Sequence, residues 1–354
     1  MNGRGSHVAV VGAGGVGAAV CFAVLTRGVA SRVSLYDIDG PRAESEVADL
    51  SHGLEFVPSA SITGGADLEV CRGADVVVVT AGAKQQPGQS RLELAASNTA
   101  MCRSLVPDLL AVAPDALLLL VTNPVDVVTS VAAQVADLAP GRVFGTGTVL
   151  DTSRFRYLLG RRCGVAVQNV HAYIVGEHGD SELALWSSAT IGGVPVASWR
   201  DAAGATLTAA ERDDLVAQVR TAAQRIIAGK GATTWAIALA TARVLEAILR
   251  DERRVLPVTA PLTDLLGGPL PGDVGADGAA VSLSLPRIVG RDGCGPVLPS
   301  PVDAREREAL EASAHQIAAA LHAVTGGAWP RSRRRGGIRR SARRNGRLAD
   351  QPFC

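Results

Sequence analysis

The sequence predicts an α/β protein: an N-terminal doubly wound parallel sheet, followed by a mixed α+β region. Three observations carry this. Short β-branched runs alternate with longer helical patterns over the first half. The first such run leads directly into a glycine-spaced turn and an apolar helix. Beyond the turn Gly145-Thr146-Gly147 the regular alternation stops, which puts a boundary near residue 148.

In chain order, residues 7–11, 33–36, 75–80 and 117–122 read as buried strands, with consecutive apolar residues as in a sheet covered on both faces. Between them, residues 15–27, 41–52, 91–113 and 125–138 read as helices. The second half opens with a helix over 151–161 and continues through apolar runs near 165–175 and 185–197. Helical patterns at 208–228 and 233–250, strands at 256–258 and 281–289, and an amphipathic helix over 303–324 follow. The expected organisation is a dinucleotide-type domain over 1–148, a second domain over 149–330 and a tail over 331–354.

Composition narrows the class. At 354 residues and 47% apolar content, the chain is long enough for two cored domains. The net charge of +1 hides nine arginines against one aspartate in residues 331–354, which leaves the body at −7. Six scattered cysteines (Cys21, Cys71, Cys102, Cys163, Cys294 and Cys354) form no C-x-x-C pair. They indicate neither a disulfide framework nor a zinc site, and they fit a reducing cytoplasm. The uncharged run from Ser6 to Thr26 contains Gly12, Gly14, Gly15 and Gly17, so it fits neither a signal peptide nor a membrane span. The Arg/Gly/Ser-rich tail is expected to be a disordered extension, with nucleic acid an unlikely partner.

The run Val8-Ala9-Val10-Val11-Gly12-Ala13-Gly14-Gly15-Val16-Gly17 is a strand entering G-x-G-x-x-G and then a helix. In a Rossmann turn of this kind, Gly12 makes the bend, Gly14 lets backbone approach a pyrophosphate, and Gly17 lets helix pack on strand, with Val16 inside the turn. Asp37 follows twenty residues after Gly17, at the end of the next strand. A carboxylate there accepts from a ribose diol and repels a 2′-phosphate, which favours NAD over NADP. Thr80, Gly82 and Asn123 lie at the carboxyl ends of later strands, where ligands sit in open α/β sheets. Asn123 could hold a nicotinamide or a substrate oxygen, although by spacing alone it reads as an ordinary Asn-Pro turn.

The stretch Val175-Gly176-Glu177-His178-Gly179-Asp180-Ser181-Glu182 sets a histidine between glycines and carboxylates. Histidine moves protons near neutral pH, and flanking glycines let a small substrate approach. His178, Asp180 and Glu182 alternate as metal ligands on a strand would, but catalysis is the better reading and no metal is expected. Asp151 and Arg154 share a helix face three residues apart; by spacing alone they read as a surface ion pair. Ala228-Gly229-Lys230-Gly231 lacks the upstream glycine of a phosphate loop.

Taken together, these motifs resemble the lactate/malate dehydrogenase family over about residues 6–326, with detail favouring the lactate branch. The resemblance implies that His178 is the general acid/base, donating a proton to the pyruvate carbonyl as hydride arrives from NADH, to give L-lactate. Asp151 would accept the His178 N–H and Arg154 would clasp the substrate carboxylate by two hydrogen bonds. Residues 82–91 match the family's substrate lid, with Arg91 polarising the carbonyl. Gln85 would face the substrate's side group. A neutral glutamine there leaves a second carboxylate unpaired, which favours pyruvate over oxaloacetate. Lys84 beside it would supply a cation if the lid were shifted by one residue, and malate is then the alternative substrate. Thr233 matches a substrate-wall residue and Ile237 a nicotinamide contact. Arg156 and His171 match positions that, in many bacterial members, pair across a two-fold axis and bind fructose 1,6-bisphosphate. That match implies an allosteric homotetramer. Two segments depart from the family: residues 263–280, Gly/Pro-rich and expected to form a surface loop, and the tail from Arg331.

Overall fold

The computed structural model describes residues 5–83, 90–201, 203–268, 270, 271, 274 and 281–326. Its first half runs β1 (His7–Val11), α1 (Gly15–Thr26), β2 (Arg32–Tyr36), α2 (Gly40–His52), β3 (Ser61–Gly65), β4 (Val76–Val79), α3 (Arg91–Val112), β5 (Leu117–Leu120), α4 (Val125–Ala136) and β6 (Val143–Gly145). These six strands pair in parallel in the order 3-2-1-4-5-6, the doubly wound arrangement of a Rossmann sheet. β4 is Val-Val-Val-Val and β5 is Leu-Leu-Leu-Leu. All eight side chains are buried because helices cover both faces of the sheet. Each contributes ~1.5–3 kcal/mol relative to exposure.

The second half comprises α5 (Val149–Cys163), the short strands β7 (Val170–His171), β8 (Ile174–Val175), β9 (Leu183–Ala184), β10 (Thr190–Ile191) and β11 (Val194–Pro195), then α6 (Ala209–Lys230), α7 (Trp235–Leu249), β12 (Arg254–Pro261), β13 (Ser282–Gly290), β14 (Gly293–Val297) and α8 (Ala304–Thr325). β12 joins β6 antiparallel through Thr259 and Gly145, so β12, β13 and β14 extend the first sheet to nine strands. α7 packs against α1, and its Ala238, Val244 and Leu245 lie in the same apolar cluster as Val8, Val10 and Val24. The two halves therefore share a core on one face of the sheet. On the other face, α3 and α4 contribute Cys102, Val106, Leu109, Val128 and Ala132.

Helix starts follow local chemistry. Ser90 with Glu93, Thr208 with Glu211, and Asp303 with Glu306 form reciprocal capping boxes at α3, α6 and α8. The expected strands and helices appear with ends shifted by a few residues, while β3, β6 and β14 were not anticipated. β3 ends in two glycines and β6 has three residues. Neither carries enough apolar periodicity to signal a strand, and pairing with a neighbour decides their conformation.

One expectation needs correction. The described residues of 263–280 do not form a simple surface loop. Leu265 and Leu266 are buried and, with Val274, join Leu283, Leu310 and Ile317 in the core between β13 and α8. Lys84, Gln85 and the tail 331–354 lie outside the described residues.

Candidate active site

The site forms where the strand order reverses between β1 and β4, outside their carboxyl ends. Gly12 has φ +107° and passes so close to Ala81 that a Cβ would lie 2.6 Å from its nitrogen. A Cβ on Gly17 would lie 1.8 Å from the Gly12 carbonyl oxygen. Both positions therefore demand glycine. Gly14 differs: a Cβ there would meet nothing within 4 Å, so it borders open space at the N-terminus of α1. Asp37 Oδ2 accepts from the Ala13 amide at 2.6 Å and Oδ1 from the Asp39 amide at 2.9 Å. The carboxylate thus ties the glycine turn to the end of β2. Val16 is half-buried beside the turn. This cradle, with its open N-terminus and acidic edge, fits a dinucleotide diphosphate and ribose.

Thr80 Oγ1 donates to the carbonyls of Val11 and Gly12, so its hydroxyl supports the turn. Gly82 is confined as well, because a Cβ would sit 2.5 Å from Thr122 Cγ2. Asn98 on α3, which the sequence did not single out, bridges two strand ends. Its Oδ1 accepts from Ala83 N at 2.8 Å, and its Nδ2 donates to the Asn123 carbonyl at 2.7 Å. Asn123 itself is exposed. Thr233 and Ile237, both half-buried, lie at and just beyond the turn from α6 into α7.

The chemistry converges on α5 and the loop after β8. The hydroxyls of Thr148 and Thr152 both donate to the Ile174 carbonyl, and Ile174 N donates back to Thr152. This locks α5 against β8. Gly176, at φ +93°, exchanges backbone hydrogen bonds with Ser284 on β13. Glu177 N donates to Ser313 on α8, and His178 N donates to Asp126 Oδ2 at 2.7 Å. Three elements therefore pin the loop that carries His178.

Within that frame, His178 Nδ1 meets Asp151 Oδ2 at 2.6 Å, and Arg154 Nη1 donates to Asp151 Oδ1 at 2.6 Å. Asp151 is 2% exposed. Burial would push its carboxyl up, but the His178 ring and then Arg154 more than offset this and hold it below the usual range. Burial likewise pushes the His178 imidazole down, yet the Asp151 charge and hydrogen bond carry it up to about 9. With Nδ1 committed to Asp151, Nε2 has no partner among the described residues and is the nitrogen left for a substrate. Asp126 is nearly fully buried, and burial raises it to about 6 although its carboxylate accepts from the His178 amide and, at 3.4 Å, from the Ser284 hydroxyl. Sequence reasoning missed it, although a carboxylate within the apolar helix Val125-Asp126-Val127-Val128 was the available signal.

Arg91 opens α3 and pairs with Asp180 at 2.9 Å, with both side chains exposed. Arg156 is not a freely solvated residue. Its Nε donates to the Ala172 carbonyl at 2.8 Å and its guanidinium lies 4.9 Å from the Tyr173 ring centre. His171, next to Ala172 on β7, is exposed.

A dinucleotide cradle at the carboxyl end of β1, together with a histidine–carboxylate pair and an arginine tied through Asp126 to the helix that follows β5, defines a nicotinamide-dependent oxidoreductase for small hydroxy acids. The family model for the lactate/malate dehydrogenase NAD-binding domain matches residues 6–145, and that for the α/β C-terminal domain matches 148–326. L-lactate dehydrogenase of Bifidobacterium animalis subsp. lactis is 47% identical over 313 residues, spanning 88% of this chain and 95% of that protein. The Synechococcus L-lactate dehydrogenase is 44% identical over 315 residues, 89% of this chain and 98% of its own. A lactate dehydrogenase from a Medee basin deep-sea metagenome library superposes with a TM-score of 0.83 at 35% identity, covering 91% of this chain and 99% of that one. A minor L-lactate dehydrogenase from Enterococcus mundtii gives 0.81 at 34% identity, covering 89% and 97%. The chain belongs to the lactate/malate dehydrogenase family and is an NAD-dependent oxidoreductase acting on a 2-hydroxy acid. Among the described residues, no helix is long and apolar enough to cross a membrane.

Proposed function

We propose that the protein is an L-lactate dehydrogenase that interconverts pyruvate and L-lactate in the cytoplasm. The observation that carries this reading is the chain His178–Asp151–Arg154, joined by two 2.6 Å contacts, in a fold that also carries the glycine cradle. Gly12, Gly14, Gly17, Val16, Asp37, Thr80, Gly82, Asn123 and Ile237 would hold NAD, which when bound supplies or accepts the hydride at the substrate's second carbon. Arg154 keeps Nη1 on Asp151 and offers its other edge to the substrate carboxylate. In the reducing direction, His178 gives the proton on Nε2 to the carbonyl oxygen, and Asp151 stabilises the charged ring beforehand. In the oxidising direction, neutral His178 takes the hydroxyl proton. Arg91 polarises the carbonyl, a role that requires it to leave Asp180. Thr233 forms the substrate wall, and Gln85 selects a methyl group over a second carboxylate.

Regulation by fructose 1,6-bisphosphate in a homotetramer belongs to the same reading. Arg156 is held beside Ala172 and Tyr173, which sets its guanidinium on the segment that exposes His171. Two such pairs across a two-fold axis would offer up to four cationic groups to one bisphosphate.

The test is NADH oxidation with pyruvate and with oxaloacetate, each with and without the bisphosphate. Strong preference for pyruvate, with a lower KM when the bisphosphate is added, is expected. Preference for oxaloacetate would contradict the role of Gln85 and implicate Lys84. A pyruvate saturation curve unchanged by the bisphosphate would contradict the allosteric site.

A further inference from the structure

Glu182 is a buried carboxyl beside this site that the mechanism leaves unused. It is 2% exposed, and among the described residues its buried Oε1 has no hydrogen-bond partner. Ligand-type atoms of Glu182, Asp151 and His178 lie within 4.8 Å of one another. They do not form a metal site, because His178 Nδ1 and Asp151 Oδ2 are 2.6 Å apart, a hydrogen bond. A zinc ion with bonds of roughly 2 Å would hold its ligands ~3 Å or more from each other.

The charged groups facing Glu182 come from three elements: Asp151 and Arg154 on α5, His178 on its own loop, and Arg220 on α6. Asp126 of α4 adds a further carboxyl at the His178 backbone amide. Both arginines are committed elsewhere. Arg154 is bonded to Asp151, and Arg220 donates through Nε and Nη2 to the backbone carbonyl of Glu182. Neither is hydrogen-bonded to the Glu182 carboxyl. An ionised Glu182 would thus be a buried, unpaired anion next to the charged Asp151, which is costly; a neutral acid is not.

Resting on the reading of His178 as proton donor, we propose that Glu182 is a positioning residue that stays protonated during turnover and so keeps Asp151 the sole carboxylate bonded to the His178 ring. Burial, then the charge of Asp151, raises its carboxyl to about 8. Loss of that proton places a second negative charge near Arg154 and opposes an anionic 2-oxo acid. KM for pyruvate then rises on the order of tenfold, the effect of one added charge a few ångströms away in a partly screened site.

The experiment is an infrared titration of the full-length protein, paired with KM for pyruvate across the same pH range, for wild type and E182Q. The expected result is a protonated-carboxyl band at neutral pH that disappears as pH passes about 8 and is missing from E182Q. Asp126, at about 6, has already lost its proton there and does not contribute. The first alkaline rise in KM should be present in wild type and absent from E182Q. Absence of the band from wild type, its persistence in E182Q, or a shared KM profile would overturn the proposal. If E182Q fails to fold, the wild-type band alone decides. The band reports the proton on Glu182 directly and without reference to turnover, so its absence is distinct from failure of the His178 reading, which H178Q tests separately.

Discussion

Asp151→Asn keeps the shape beside His178 and removes the charge. The carboxylate touches the imidazole at 2.6 Å and is 2% exposed, so water screens it little. Burial lowers the ring's pKa, yet the neighbouring carboxylate takes it from 6.5 to about 9. That net rise is worth about 3 kcal/mol at about 1.4 kcal/mol per pH unit. Because burial opposes the rise, D151N should return the imidazole to 6.5 or below. Pyruvate reduction needs protonated His178, so the alkaline limb of kcat/KM should move down by about two pH units or more. Above the new value the variant loses about tenfold per pH unit relative to wild type. Lost ring orientation adds to this, for a total of ~10²–10⁴-fold. The same linkage acts on stability. The contribution of a raised histidine is fully present below 6.5 and lost as pH rises through about 9. The stability lost in D151N through His178 should therefore be largest at acid and neutral pH and shrink at alkaline pH, leaving the loss of the Arg154 pair. Steady-state NADH absorbance over a pH series measures the limb, with NADH affinity and Tm as controls. An alkaline limb that stays in place or moves upward in a folded D151N would refute the reasoning.

Four further outcomes are expected. Gly17→Ala should abolish NADH binding and lower Tm, since its Cβ would lie 1.8 Å from the Gly12 carbonyl oxygen. Gly14→Ala, with open space around it, should leave Tm nearly unchanged but weaken NADH affinity at least ~10-fold in a fluorescence titration, because the methyl enters the space reserved for the diphosphate. Arg154→Lys should raise KM for pyruvate by ~10²-fold with little change in NADH affinity, because one ammonium cannot replace two parallel hydrogen bonds. Asp126→Ala leaves the buried His178 amide unpaired, at a cost of ~1–3 kcal/mol in Tm-derived stability and with a fall in kcat; Asp126→Asn, which retains an acceptor, should recover most of both.

Much of this was legible in the sequence because local chemistry dictated it. The glycine spacing at Gly12 and Gly17 reflects contacts under 3 Å that no side chain would tolerate. The parallel sheet was visible in Val76–Val79 and Leu117–Leu120, which are apolar without alternation. What pattern could not reveal depends on tertiary placement. Asn98 sits in α3, fifteen residues from Ala83 and twenty-five from Asn123, and nothing local marks it as the bridge between them. Asp126 reaches the His178 amide across fifty-two residues. Glu182 was noticed only for alternating with His178 and Asp180; the fold buries it while leaving Asp180 on the surface with Arg91. The sharing of one sheet by β6 and β12 was equally hidden, since a single pairing of Thr259 with Gly145 makes the join.

The central claim is that His178 moves the proton while the glycine cradle holds the cofactor. Its most direct test is kcat/KM for pyruvate in wild type and His178→Gln, with NADH affinity measured on the same samples. The account predicts rapid pyruvate reduction by wild type, and in the variant a loss of ~10²–10⁴-fold with NADH affinity retained. Pyruvate turnover by His178→Gln at close to the wild-type rate, or a folded, NADH-binding wild type inert toward pyruvate, would contradict it.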